Sequence, residues 1–234
     1  MNPAVSRYIV AGSRPWNRCM FDEELASESG VWDFAADAAA LELLLASGQA
    51  PRFIFFVHWS QRVPDKWLEQ YECVCFHMTD VPYGRGGSPL QNLIQRGHRE
   101  TKLTALRMVR EMDAGPMYAK EPLSLEGRAE EIYIRAGLVS ARMIRKIIAN
   151  EIAPEPQRGD AVLFRRRRPE QSVVPDTLSD LPHLHDFVRM LDAEGYPHAF
   201  IEHGGFRFEF THSTLLGGSI EARVVITQTS SQPL

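Results

Sequence analysis

The run Arg52 to Trp59 (RFIFFVHW) is the stretch that most restricts what this chain can fold into. It is apolar and aromatic on both alternating faces, and Ile54 and Val57 add β-branched side chains. A strand with two apolar faces must be covered on both. That is the position of a strand inside a parallel sheet flanked by helices. The run is far too short to cross a bilayer, which takes about 20 apolar residues in a helix.

The segments around it alternate as such a sheet requires. Tyr8 to Ala11 predicts a first strand that ends at Gly12-Ser13. Trp32 to Ala46, rich in Ala and Leu, predicts a helix, and Asp65 to Tyr71 a shorter one. Glu72 to His77 predicts a strand on which Cys73, Cys75 and His77 share one face. Val81 to Pro89 (VPYGRGGSP) is a Gly/Pro-rich loop, followed by a short helix from Leu90 to Gly97. Leu103 to Val109 and Met117 to Leu123 predict strands joined by a turn at Asp113-Ala114-Gly115-Pro116. Glu126 to Glu151 is the longest helical stretch, stopped by Pro154 and Pro156. The expected class is α/β with a central, mostly parallel sheet.

Beyond Pro156 the texture changes. A strand from Ala161 to Phe164 leads into four arginines, Arg165 to Arg168, which alternate in and out if the strand continues. Leu181 to Ala193 is amphipathic. Ala199 to His203 and Phe206 to Thr211 flank Gly204-Gly205, a hairpin signal, and Ile220 to Thr227 alternates as a strand. Thr229 to Leu234 reads as low-complexity. The expected division is residues 1–156 as one domain and 157–234 as a small β-rich segment packed on it.

A net charge of -4 argues against a general nucleic-acid surface. Three cysteines in 234 residues form no disulfide framework, so a reducing, cytoplasmic setting is expected. The start, MNPAVSRYIVAGS, carries no signal-peptide pattern. Cys73-x-Cys75-x-His77 sets three metal-type ligands on one strand with no second pair, so no metal is expected, and His183-x-His185 has the same weakness. The loop from Gly84 to Gly87 is no Walker motif, because no Gly-Lys-Ser/Thr follows.

The segment FHMTDVPYGRGGSPLQNLIQRGHRETKLTALRMVREMDAGPMY, Phe76 to Tyr118, resembles the core of the folate-dependent formyltransferases. In that family a strand ends in Asn-x-His, a Ser, a Pro and an aromatic-x-Arg-Gly loop follow, and an Asp-x-Gly closes the motif. Here Cys75-Phe76-His77, Thr79, Pro82, Tyr83, Arg85-Gly86, Pro89 and Asp113-Ala114-Gly115 stand in that order. The resemblance extends more weakly over residues 7–150. It implies a Rossmann-like formyltransferase domain that takes 10-formyltetrahydrofolate as co-substrate. It assigns catalysis to His77 and Asp113, with Cys75 at the family's Asn position and Thr79 nearby. Donor contacts fall to Phe56, Val57, His58, Trp59, Arg85, Gly86, Arg110, Glu111 and Met112. Acceptor contacts fall to Tyr83, Gly84, Gly87, Arg165 and Arg167.

The residue types suit that chemistry. An amine attacking a formyl carbon makes an oxyanion and must lose a proton. A neutral His at a strand end can bond the first or carry the second, and a carboxylate beside it orients the ring. A thiol is a weak donor and copies the Asn poorly, which makes His58, Ser60 and Thr79 the candidates to fill in. The tail Arg189 to Phe210 resembles the β-rich end of the sugar N-formyltransferases. It points to a nucleotide-linked 4-amino-4,6-dideoxy sugar as acceptor, with no nucleic-acid or membrane partner and a homodimer left open. Glycinamide ribonucleotide or another small amine, and a folate-binding or formyl-folate hydrolase module, are the alternatives.

Overall fold

A computed structural model describes residues 5–229 and divides into two compact units. The first comprises Met1–Gly86, Thr101–Leu123 and Tyr133–Leu163, and the second Gly87–Glu100, Ser124–Ile132 and Phe164–Leu234. Apart from Thr229, the low-complexity end lies outside the described residues.

The first unit is built on six strands: β1 (Arg7–Ala11), β2 (Val31–Ala35), β3 (Phe53–Phe56), β4 (Cys73–His77), β6 (Glu100–Arg107) and β7 (Met117–Ser124), with β6 and β7 contributing most of their residues to it. A short β5 (Tyr83–Gly86) precedes β6. The sheet order is β2-β1-β3-β4-β6-β7. β1 runs parallel to β2 and β3, β3 parallel to β4, and β4 antiparallel to β6. This is the mostly parallel sheet expected, with one reversal at β6.

The two apolar faces of RFIFFVHW are both used. Ile54 and Phe56 join a buried cluster with Ile9, Ala11, Leu41 and Trp67, while Phe53 and Phe55 are also buried. Truncating a buried aromatic such as Phe56 costs about 3–5 kcal/mol. The strand is shorter than the run because His58 turns left-handed (φ 50°) just past Val57.

The helices are α1 (Pro15–Met20), extended by a π-helical turn at Phe21–Leu25, then α2 (Ala38–Ala46), α3 (Asp65–Gln70), α4 (Pro89–Gln95), α5 (Ala129–Ala149) and α6 (Leu181–Arg189). The helix expected from Trp32 is corrected. Val31–Ala35 is an edge strand in register with β1, and α2 begins only where Asp37 Oδ1 accepts the Ala40 N–H at 2.7 Å. The Val-Trp-x-Phe step has the β-branched and aromatic texture of a strand, and Asp37 supplies the cap.

The chain leaves β1 for β2 on one side and returns to β3 on the other. In open α/β sheets, the crevice beyond the carboxyl ends at such a switch point is where ligands bind. Gly12 closes β1 at this end. A Cβ there would lie 2.6 Å from Asn17 Cβ, so glycine permits α1 to pack close.

The second unit holds α4, α6 and an antiparallel sheet of β9 (Ala199–His203), β10 (Phe206–Leu216) and β11 (Ser219–Gln228), in the order β11-β10-β9. Gly204-Gly205 form the expected hairpin turn, both at positive φ. Leu90, Leu93, Ile94, Phe187, Val188, Met190 and Phe200 are buried in this unit. β8 (Val162–Phe164) stops before the arginines, so they do not alternate as a strand. Arg165, Arg166 and Arg168 are exposed and only Arg167 is half-buried.

Candidate active site

β4 delivers His77 to the carboxyl end of the sheet with 8% of its surface exposed. The loop that follows folds back over the ring. Gly84 and Gly86 take φ of 78° and 107°, which side chains rarely adopt. Gly84 can then aim its carbonyl at the histidine, and His77 Nε2 donates to it at 2.8 Å. Thr79 Oγ1 donates to the same carbonyl at 3.3 Å, and the Thr79 carbonyl accepts from Thr104 Oγ1 at 2.7 Å. Thr79 is thus fully engaged in shaping the loop.

Asp113 arrives from the loop after β6 in a left-handed conformation (φ 54°) that Asp tolerates better than most residues. Its Oδ2 accepts the Gly86 N–H at 2.9 Å and lies 3.6 Å from His77 Nδ1. The resemblance pairs these two residues, and the fold brings them within ion-pair reach. With a proton on Nε2 for Gly84, a neutral ring presents its Nδ1 lone pair to the carboxylate. A second proton at Nδ1 turns that edge into a donor facing an acceptor.

Gln157 was not singled out from the sequence. Its Nε2 donates to the carbonyls of Asp113 and Gly115, each at 2.8 Å. Its Oε1 accepts from Arg85 Nε at 3.0 Å and Nη2 at 2.8 Å. One side chain therefore ties the Arg85-Gly86 loop to the Asp113 loop. Gly115 is obligatory, because a Cβ would stand 1.8 Å from the Arg107 carbonyl. A lone Gln after Pro154-x-Pro156 carries no sequence signal for this role.

Cys75 is half-buried one pleat behind His77, and burial first, then the charge of Asp113, raise its thiol above the ordinary cysteine range. It stays protonated, which removes it as a nucleophile and leaves a weak donor. His58 sits two residues past Phe56, the register partner of Cys75, and so leaves the same end of the sheet as His77. Its ring lies 4.1 Å from Tyr133 and 5.7 Å from Trp16 by centroids. Burial, with a smaller push from Arg14, lowers its pKa to about 4, so it is a neutral imidazole near pH 7.

Among the described residues, Trp16 Nε1, Asn17 Nδ2 and Trp59 Nε1 are buried without a hydrogen-bond partner. All three lie on the segments leaving β1 and β3. Buried donors in native structures are nearly always paired, so these three are exceptions that cost stability unless they are met. A pocket of about 290 Å³ opens on the Asp113 loop, lined by Leu68, Glu69, Arg107, Met108, Val109, Arg110 and Pro116. Its lining mixes the apolar Leu68, Met108, Val109 and Pro116 with charged side chains, a mixture common in small-molecule sites. Arg110 is paired with Glu69 and Asp65, while Glu111 and Met112 are exposed and outside the lining. Phe56 and Val57 are buried, so only their backbone can reach a ligand. Tyr83 is half-buried on β5. Gly87, Arg165 and Arg167 belong to the second unit. There Gly87 N–H donates to the Phe164 carbonyl at 3.1 Å, the Arg165 carbonyl accepts from Asn92 Nδ2 at 3.1 Å, and the Arg167 guanidinium lies over the Phe187 ring at 5.6 Å.

The chain is similar to several known proteins in sequence and fold. A solved structure described as methionyl-tRNA formyltransferase from Clostridium thermocellum is 38% identical, with a TM-score of 0.88 over 96% of this chain and 100% of that one. The chain belongs to the formyltransferase family. A family model described as the C-terminal domain of methionyl-tRNA formyltransferase matches residues 169–227. A methionyl-tRNA formyltransferase of Lacticaseibacillus casei (strain BL23) is 34% identical over 132 residues, 53% of this chain and 41% of that protein. The formyltransferase chain therefore spans about two fifths of that curated relative. A likely sugar N-formyltransferase from Mycobacterium tuberculosis shares the fold at 16% identity and a TM-score of 0.67, over 98% of this chain and 99% of that one. Among the described residues no helix is long and apolar enough to cross a membrane, and no group of three metal-type ligands occurs.

Proposed function

We propose that this formyltransferase moves a formyl group from 10-formyltetrahydrofolate to a primary amine. The observation that carries the reading is the His77–Gly84–Gly86–Asp113 cluster at the carboxyl end of β4. The donor supplies an activated formyl carbon. Its bond to the folate nitrogen breaks, a bond to the acceptor nitrogen forms, and the amine proton ends on the folate.

The residues of this chain handle the proton and the geometry. His77 takes the amine proton and gains the Asp113 carboxylate as a partner on doing so. Asp113 holds the Gly86 backbone and so fixes the loop that positions the ring. Cys75 supplies no charge and little hydrogen bonding. The pocket beside Met108, Val109 and Arg110 takes the ring end of the folate.

For the acceptor, the 38% identity across the whole chain favours the α-amine of methionyl-tRNA, the substrate named in that relative's description. A second reading, the nucleotide-linked amino sugar, is favoured by the net charge of -4, which is poor for holding RNA. The hairpin tail does not separate them. It pointed to sugars in the sequence, yet the family model that matches it is named for methionyl-tRNA formyltransferase.

The test is an acceptor panel with 10-formyltetrahydrofolate, reading tetrahydrofolate release and product mass. Methionyl-tRNA, nucleotide-linked 4-amino sugars and glycinamide ribonucleotide are its arms. Release that requires one amine and yields its N-formyl product supports the proposal. Release at the same rate without any amine overturns it in favour of a hydrolase.

A further inference from the structure

Gln157 is bonded to both loops that frame His77. It is half-buried and belongs to the first unit, with Arg85, Asp113 and Gly115. Its backbone is anchored close by. The Glu155 N–H donates to the Met117 carbonyl at 2.8 Å and the Met117 N–H to the Glu155 carbonyl at 2.7 Å, an isolated antiparallel bridge at the start of β7. Pro154 and Pro156 on either side carry no N–H, and a residue before proline favours extended backbone, so Glu155 is the position there that can pair. Gln157 thus leaves a backbone already fixed to the strand that follows the Asp113 loop.

Its amide is then fully used. Nε2 has two N–H groups, which go to the carbonyls of Asp113 and Gly115. Oε1 has two lone pairs, which take Arg85 Nε and Nη2. The partners also fix which end is which, because a carbonyl only accepts and a guanidinium only donates. An ionised Glu at this position has no proton for the carbonyls, Lys has no lone pair for Arg85, and Asn carries the amide on a shorter stem. The set of partners asks for Gln itself.

What these bonds hold is the segment that carries the carboxylate. β6 ends at Arg107 and β7 starts at Met117, so Asp113 sits in the connection between them, at φ 54° and without a regular element to support it. Gln157 pins the carbonyls on both sides of Ala114. From Asp113 the path continues through its Oδ2 to the Gly86 N–H, along the chain to Arg85, and back to Gln157 Oε1. The circuit is closed, so the backbone on each side of the Asp113–Gly86 bond is tied to the same amide. The same Oδ2 lies 3.6 Å from His77 Nδ1.

We propose that Gln157 is a positioning residue for formyl transfer, which sets the Asp113 carboxylate against His77 by closing this circuit. The inference rests on His77 and Asp113 being the groups that handle the proton. A misplacement of about 1 Å at such a site can cost about 100-fold in rate.

The test measures kcat and KM with 10-formyltetrahydrofolate and methionyl-tRNA, a nucleotide-linked 4-amino sugar serving as parallel acceptor, together with urea unfolding of each sample. Gln157→Glu keeps the size and the acceptor for Arg85 and loses both donors. Gln157→Met keeps the size and loses every bond of the amide. Each is expected to lower kcat by about 10- to 100-fold and to move either KM by less than about 3-fold. In the Asp113→Asn background the same changes are expected to cost less than about 3-fold, because the charge being positioned is already gone. If Gln157→Met unfolds, Gln157→Glu decides. Variants within about 3-fold of the parent in kcat, or equal losses in both backgrounds, would overturn the positioning role and leave His77 and Asp113 in theirs. No amine-dependent turnover by the parent, or an Asp113→Asn variant as fast as the parent, would overturn the catalytic reading and this inference with it.

Discussion

Asp113→Asn separates the charge of that side chain from its shape. Asn keeps an oxygen for the Gly86 N–H, now bonded at 2.9 Å, and tolerates the left-handed backbone at φ 54°. What it removes is the negative charge 3.6 Å from His77 Nδ1. Two unit charges at such a separation interact by about 4 kcal/mol at an effective dielectric near 20. That is the order of what the charge offers a protonated His77, and it corresponds to roughly 1,000-fold in rate. Positioned acid–base groups contribute about 100- to 10,000-fold, so the two estimates meet near 1,000-fold. The assay is tetrahydrofolate release at saturating amine, with urea unfolding of the same samples. The Asn variant should lose about 100- to 1,000-fold in turnover and less than about 1 kcal/mol in stability. Asp113→Ala should lose similar activity and about 1–3 kcal/mol of stability, because the Gly86 N–H is left unpaired. Turnover of Asp113→Asn within about 5-fold of the parent would refute the assignment of the carboxylate.

Other variants probe neighbouring links. His77→Ala should lower turnover by about 100-fold or more, whereas Cys75→Ala should stay within a few-fold, measured in the same assay. Iodoacetamide near pH 8 should label exposed Cys19 well before Cys73 or Cys75, as read by peptide mass, because burial raises both buried thiols. Gly115→Ala should cost about 3 kcal/mol or more in urea unfolding, since its Cβ meets the Arg107 carbonyl. His58 titrates near 4 when folded and at 6.5 when unfolded. The unfolded chain therefore binds the extra proton between those values, and this stability is complete above 6.5 and lost as pH falls through 4. Its full size is up to about 3 kcal/mol, and it should vanish from the pH dependence of unfolding in His58→Asn.

The parts of the fold that were legible are those where one local signal suffices. RFIFFVHW announced a two-faced strand, and Gly204-Gly205 announced a hairpin. Val31–Ala35 was missed because Ala and Leu beyond Asp37 dominate the window and hide a five-residue strand. The site divides the same way. His77 and Asp113 stand in a spaced motif, so they were readable. Gln157 acts through contacts made only when distant segments meet, and no pattern of residue types marks it, nor the unpaired Trp16 Nε1 and Asn17 Nδ2.

Arg85 shows what the structure adds to a residue that the resemblance singled out. The resemblance assigned it to a ligand, yet two of its nitrogens are bound to Gln157. Only the Nη1 edge remains, and it faces Glu111 at 3.8 Å. The Glu111 side chain is 79% exposed, and such surface pairs are worth about 0–1 kcal/mol. An anion that displaced Glu111 would break only this weak pair, with Gln157 still holding the guanidinium. The same Gln157 holds the carbonyls flanking Ala114, so one side chain ties Arg85 to the backbone that presents Asp113 to His77.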